Sequence, residues 1–434
     1  MESITTPISK AAFPQPFPGG LEFNAPARGM WNIVHTGMLL PEAHQIFICA
    51  RGCLRGVILT AAEMNAMDRM SWVGIEESDF YDSSMEENVI EGVTVILHKL
   101  PKKPPVVLVF ISCIQQFSGM DFPECIRELS RRFPDIVFVD CYMNPTMRKS
   151  GLTPDQLMRR QLFLPLQERK ALERNAVNLL GSDFAADRNC ELFPWLEKNK
   201  IICREITRCT SYDAYLDMGK SFLNMTWIPQ AVAAAEALEN RLGQKHLHLP
   251  ICYGEEEIDM NYAKLAQALQ LPVPDFSEER SKAQRALAET LSVVGSTPVV
   301  IDYTATPRVL SLARRLLEAG FNVVQIFADV FIPGDKEDFE FLKKNFPELQ
   351  ITPTLHVKMR FANEKKTSSK VLAIGQKAAF FVNTPYFADL VWGRGFYGHH
   401  GVAAVAGVLQ EAWQTPKDIK KVISHKGWGC ESCL

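Results

Sequence analysis

Two cysteines in Cys49-Ala50-Arg51-Gly52-Cys53 and a third in Ile111-Ser112-Cys113 are the side chains whose type and spacing suit chemistry. Thiolates are soft donors that hold iron–sulfur clusters or soft metal ions. Each group follows a short apolar run that reads as a strand, Gln45–Ile48 before the first and Val106–Ile111 before the second. Open α/β sheets carry their chemistry at strand ends, so the fold can bring the three thiols together. Spacing alone leaves packing as the competing reading, because free cysteine is among the most buried residue types.

A second candidate set sits near the C-terminus. Gly393-Arg394-Gly395-Phe396-Tyr397-Gly398 satisfies the dinucleotide fingerprint G-x-G-x-x-G, which needs a helix and a second strand with an acidic residue after it. No second strand follows, so NAD binding is rejected. The segment reads instead as a flexible turn before a helix whose N-terminus can face an anionic group. His399 and His400 beside it are candidate proton donors, with surface or capping histidines as the competing reading. Cys430-Glu431-Ser432-Cys433 lacks the strand–helix setting of a redox pair and reads as a flexible tail. Cys125, Cys141, Cys190, Cys203, Cys209 and Cys252 read as packing, Cys141 being the one whose strand end brings it near a site. Neither a Walker phosphate loop nor H-E-x-x-H is present, so any ATP hydrolysis belongs to a partner.

The elements that must position these residues alternate between strand and helix, which predicts parallel sheets. Residues 1–28, with several prolines and glycines, read as an arm or coil packed on the body. Leu54–Met70 reads as helix, Ser83–Glu86 as a capping box for a helix through Glu91, Asp121–Phe133 as helix and Ile136–Asp140 as strand. Ala176–Gly181 is a strand, Cys190–Asn199 a helix, 225–243 a long Ala-rich helix, His246–Pro250 a strand and Asp259–Leu269 a helix. After the charged helix Ser277–Leu291, Thr297–Asp302, Thr306–Ala319 and Phe321–Phe327 form a βαβ unit. Val371–Ile374 and Ala378–Val382 read as strands, and Val402–Trp413 as a closing helix. With 434 residues, this gives three α/β domains, placed at 1–173, 174–295 and 296–434. Composition is 47% hydrophobic and 22% charged, ordinary for a globular chain with ample core. A net charge of −3 gives no electrostatic case for nucleic acid or an anionic membrane. The longest apolar run is too short to span a bilayer, and the N-terminus lacks a secretory pattern. Eleven scattered cysteines argue against a disulfide framework, so a cytoplasmic chain with reduced thiols is expected.

In their order and spacing, these segments resemble the component-1 subunits of nitrogenase and the nitrogenase-like reductases. Gly52-Cys53-Leu54-Arg55-Gly56 is similar to the family's Gly-Cys ligand loop. Asp82–Glu87 with Ile90-Glu91-Gly92 is similar to its Ser-x-Met-Thr-Glu…Gly segment, and Ile111–Asp121 to the loop carrying another ligand. Val177–Gly181 and Val299–Asp302 resemble the openings of the second and third domains. The resemblance implies three Rossmann-like domains with parallel sheets and a P-cluster-like iron–sulfur cluster, [4Fe–4S] or larger, shared across a subunit interface. It also implies a homodimer or a heterodimer with a paralogue, a small-molecule substrate, and electrons from an iron protein-like ATPase. Cys53 and Cys113 match the family's cluster ligands. The region of its third ligand, Asn24–Ala27, holds no cysteine, and Cys49 is the stand-in within reach. The cysteine and histidine that hold the large cofactor of nitrogen-reducing subunits fall at Thr226-Trp227 and Tyr397, with His399 or His400 as a shifted substitute. Reduction of a substrate other than N2 is therefore expected. Its rivals are a cofactor-assembly scaffold of the same fold and a metal-free small-molecule binding protein.

Overall fold

The computed structural model describes residues 4–27, 32–80, 85–143, 151–168, 171–181, 183–364 and 370–419. Ser83 of the expected capping box and the Cys430/Cys433 pair lie outside them.

Three sheets form, parallel but for one edge strand, as the alternation of elements predicts, and they fall in two compact units. The unit made of residues 31–183 and 200–248 carries two four-stranded sheets. In the first, Val106–Ser112 is buried along its whole length and pairs with His44–Ala50 on one side and Val137–Met143 on the other. A strand covered on both faces must be continuously apolar, which is why this one was legible. Met70–Ile75 adds an edge strand beside His44–Ala50. It starts at Met70, the last residue that the sequence reads as helix, and the helix itself stops at Glu63. The segment Met70-Ser71-Trp72-Val73-Gly74-Ile75 has only its two ends buried, so its apolar pattern is too thin to announce a strand.

The second sheet orders Ile202–Glu205, Glu173–Leu180, Ser221–Thr226 and Lys245–His248. Ser221–Thr226 corrects the reading of 225–243 as one helix, which in fact runs Val232–Leu242. All six residues of this strand are buried although three are polar, because partners inside the sheet satisfy them. Asn178 Nδ2 donates to Asn224 Oδ1 at 2.8 Å, and Arg204 Nη1 donates to Ser221 Oγ at 3.0 Å. Burial of satisfied polar groups is invisible to a hydropathy pattern.

The other unit, residues 1–30, 184–199 and 249–434, holds a six-stranded sheet. Its order is Thr6–Pro7, Gln350–Thr352, Val323–Phe327, Val299–Asp302, Leu372–Ile374, Phe387–Ala388, with only the first strand antiparallel. The N-terminal arm is thus tied down by the edge it pairs with, and the Phe331 N–H donates to the Pro14 carbonyl. Gln376–Val382 is a helix where the sequence reads as a strand over Ala378–Val382. Its first six residues are buried, so it has no polar face to betray a helical period. Asp302, fully buried at the end of its own strand, accepts the Ala378 N–H at 2.7 Å and caps it. Gly375 has φ of 99°, and a Cβ there would lie 2.2 Å from the Asp302 carboxylate, so glycine is required.

Candidate functional site

Strand ends place the three thiols. Cys49 is next to last in the strand His44–Ala50, and the helix Arg51–Glu63 starts directly after it. Cys53 therefore sits in the first turn of a helix rather than in a loop. Cys113 is the first residue of the short helix Cys113–Phe117, which follows the adjacent strand. Because Ile48 pairs with Ile111, both chains turn out of the sheet at the same level.

Gln115 locks that geometry. Its Nε2 donates to the Ile48 carbonyl at 2.8 Å, and its Oε1 accepts the Ser112 N–H at 3.0 Å and the Ser112 hydroxyl at 2.6 Å. One buried amide so ties the residue before Cys49 to the residue before Cys113. The three thiols differ in access. Cys53 is exposed, Cys113 half-buried and Cys49 buried within an apolar cluster that includes Phe47, Leu54 and Phe110. Burial pushes the Cys49 thiol up to about 12, and the neighbouring Cys53 and Cys113 push it the same way. Cys53 and Cys113 thus both lie near enough to act on Cys49. Among the described residues no three His, Cys, Asp or Glu side chains are gathered tightly enough for a single ion. A cluster several ångströms across holds its thiolates further apart than one ion does. Thiols are the donor type such a cluster takes, and here Cys53 is exposed and Cys113 half-buried.

The two histidines have different roles in the unit that holds them. His399 is fully buried; its Nε2 lies 2.8 Å from Asp259 Oδ1, and Asp259 also pairs with Arg280. Burial, aided by Arg280, lowers its pKa against the pull of Glu191. His400 is partly exposed, with Nε2 2.8 Å from Asp187 Oδ2. Burial pushes Asp187 up, but the Asn189 N–H and the His400 ring overcome this and hold its carboxyl below the usual range. His400 also lines a groove of about 660 Å³ with an apolar wall of Trp195, Pro272, Val273, Pro274 and Phe276.

The helix Gly398–Gln414 starts a turn earlier than the expected Val402, with Tyr397 at its N-cap, and the anion at its N-terminus is internal. Glu191 accepts the His399 N–H at 2.6 Å, the His400 N–H at 3.1 Å and the Tyr262 hydroxyl at 3.0 Å. A Cβ on Gly398 would meet Glu191 Oε1 at 2.2 Å, so this carboxylate fills the space a side chain would take. Sequence reasoning missed Glu191 because the two helix N–H groups it caps lie more than two hundred residues away. Tyr397 is 4% exposed, stacks edge-on against Tyr262 and accepts the Cys190 thiol through its carbonyl. Thr226 is buried, its hydroxyl taken by two imidazoles.

The family model for nitrogenase component 1 type oxidoreductases matches residues 37–377. Two solved structures of "Nitrogenase Cp1" share the fold. The one at pH 6.5 has a TM-score of 0.69 at 14% identity, over 92% of this chain and 94% of that one. The one at pH 5 has a TM-score of 0.58 at 14% identity, over 93% and 90%. No curated protein sequence matches the chain.

Proposed function

The chain belongs to the nitrogenase component 1 type oxidoreductases, and from that premise we propose that it is a reductase subunit fed by a separate ATP-hydrolysing iron protein. A thiolate-held iron–sulfur cluster, when bound, supplies one-electron transfer. Cys53 and Cys113 are the residues to hold it, with Cys49 as a third ligand from below. Ser112 and Gln115 keep the two strand ends in register around it. The observation that carries this reading is the placement of Cys49 and Cys113 at the ends of two paired strands, with the exposed Cys53 in the first turn of the helix after one of them.

The substrate is a small molecule other than N2. In support, the positions where the resemblance puts the large cofactor's ligands are a threonine already hydrogen-bonded and a tyrosine packed inward. His400 is better placed than His399 to deliver a proton, because it is partly exposed and borders a groove. The inward Tyr397 equally favours a second reading, an assembly scaffold that holds a cluster precursor.

Anaerobically purified protein is expected to contain iron and acid-labile sulfide and to give a paramagnetic signal on reduction. Cys53→Ala and Cys113→Ala should each lower the iron. Colourless, iron-free wild-type protein would leave a metal-free binding protein, and iron unchanged in both variants would move the cluster elsewhere. ATP-dependent reduction of a small molecule with a cognate iron protein separates reductase from scaffold.

A further inference from the structure

Trp195, Pro272, Val273, Pro274 and Phe276 wall the groove of about 660 Å³ that His400 borders. That volume falls within the roughly 300–1,000 Å³ of small-molecule sites, which pair apolar walls with a few polar groups. The wall is held in place from behind. Phe276 is braced by Tyr262, ring centroids 4.6 Å apart, and the Tyr262 hydroxyl donates to Glu191 at 3.0 Å. The Asn199 side chain donates to the Trp195 carbonyl at 2.8 Å, and a proline on either side of Val273 stiffens the backbone. Val273 is nonetheless 63% exposed, an apolar side chain facing solvent from a concave wall.

The polar groups around this wall divide into those already engaged and those still open. Glu191 takes three donors, and Asp275 accepts the Ser277 N–H at 3.0 Å. His400 pairs with Asp187, and Lys282 with Glu278 on its own helix. Glu279 stands one turn before Lys282 on that helix, so these two charges offset each other locally. Two donors remain. Lys198, at the end of the helix Leu192–Lys198, has no ion-pair or hydrogen-bond partner among the described residues. Trp195 is 9% exposed, and its indole N–H, not sealed from solvent, has no partner among them either. Two open donors beside an apolar wall, one of them a cation, call for an acceptor that carries negative charge.

We propose that this groove binds a small apolar carboxylate, its body against Trp195, Val273 and Phe276 and its anionic end on Lys198 and the Trp195 N–H. Burial of the apolar wall supplies the attraction, and the cation selects a carboxylate over a neutral molecule of the same shape. His400 borders the bound molecule, so the proposed reductase finds the class of its substrate here. Only that step rests on the reductase reading. Binding itself needs neither iron nor a partner.

The test is isothermal titration of the full chain with biphenyl-4-carboxylate and with biphenyl-4-carboxamide, its neutral counterpart. The carboxylate should bind saturably and about tenfold tighter than the amide. Lys198→Gln, at an exposed position, should erase that preference and leave amide binding unchanged. Val273→Asp should weaken both ligands, with circular dichroism showing an intact fold because the side chain is already exposed. Equal affinity for the two, a preference that survives Lys198→Gln, or no saturable binding would each overturn the site. So would a loss of mass in Val273→Asp by light scattering with neither probe bound, the sign of a second chain covering the groove. Titration of the chain carrying Cys53→Ala and Cys113→Ala should give the same affinities. Binding there without ATP-dependent reduction by the wild type would sink the reductase reading and leave this site standing.

Discussion

Gln115 spends three side-chain hydrogen bonds on two strand ends, those that lead to Cys49 and Cys113. Replacing it by leucine keeps the volume but strands the Ile48 carbonyl and the Ser112 N–H in a buried setting. Each unsatisfied group costs about 1–3 kcal/mol, so Gln115→Leu should lower the denaturation midpoint measurably. Its second effect is specific: iron per chain should fall although every cysteine is retained. A variant that loses stability but keeps full iron would show that the sheet alone sets the thiols. The thiols themselves were legible, since Cys-x-x-x-Cys at a strand end is a local signal. Gln115 was not, because its role is a contact with residue 48, which no spacing encodes.

At the scale of elements, two features tie stability to charge. Glu191 caps the helix Gly398–Gln414 from a distant part of the chain, with three donors on one carboxylate. In Glu191→Gln, one N–H of the new amide must face a helix N–H, and the change should cost about 1–3 kcal/mol. Thermal melting checks it, and an unchanged melting temperature would mean the cap is dispensable. His44 acts through protons. It is 5% exposed, its Nε2 lies 2.8 Å from Ser71 Oγ on the edge strand, and burial together with Arg69 lowers its pKa from 6.5 to about 4. The unfolded chain therefore binds a proton that the folded chain refuses between these two values. Stability is full above pH 6.5 and falls as pH drops toward 4, by roughly 3 kcal/mol for this group. Denaturation of His44→Gln across that window should show a flatter acid limb than wild type. The elements were legible where burial is one-sided or total and apolar, as in Val106–Ser112 and the βαβ unit from Val299 to Phe327. They were misread where polar residues are buried in pairs, as at Ser221–Thr226, and where an apolar helix has no wet face, as at Gln376–Val382.

For the whole molecule, ligand number decides the stoichiometry. A [4Fe–4S] cluster takes four protein ligands, and the edge described here offers three thiols at most. On the proposed reading, a second chain must complete the set. The surface around the thiols suits burial by a partner. Phe117, one turn after Cys113 and on the same side of its helix, is 75% exposed, and Cys53 is exposed as well. Phe117→Asp puts a charge where a partner would close over the site. Desolvating that charge should weaken association without touching any thiol or core residue. Light scattering on anaerobic protein should then report half the mass of the wild-type assembly, and iron per chain should fall with it. If the variant dissociates but keeps its iron, the cluster is held within one chain and a fourth ligand must be sought there. If mass and iron both stay as in wild type, the Phe117 surface is not the interface, and the exposed thiols need another cover.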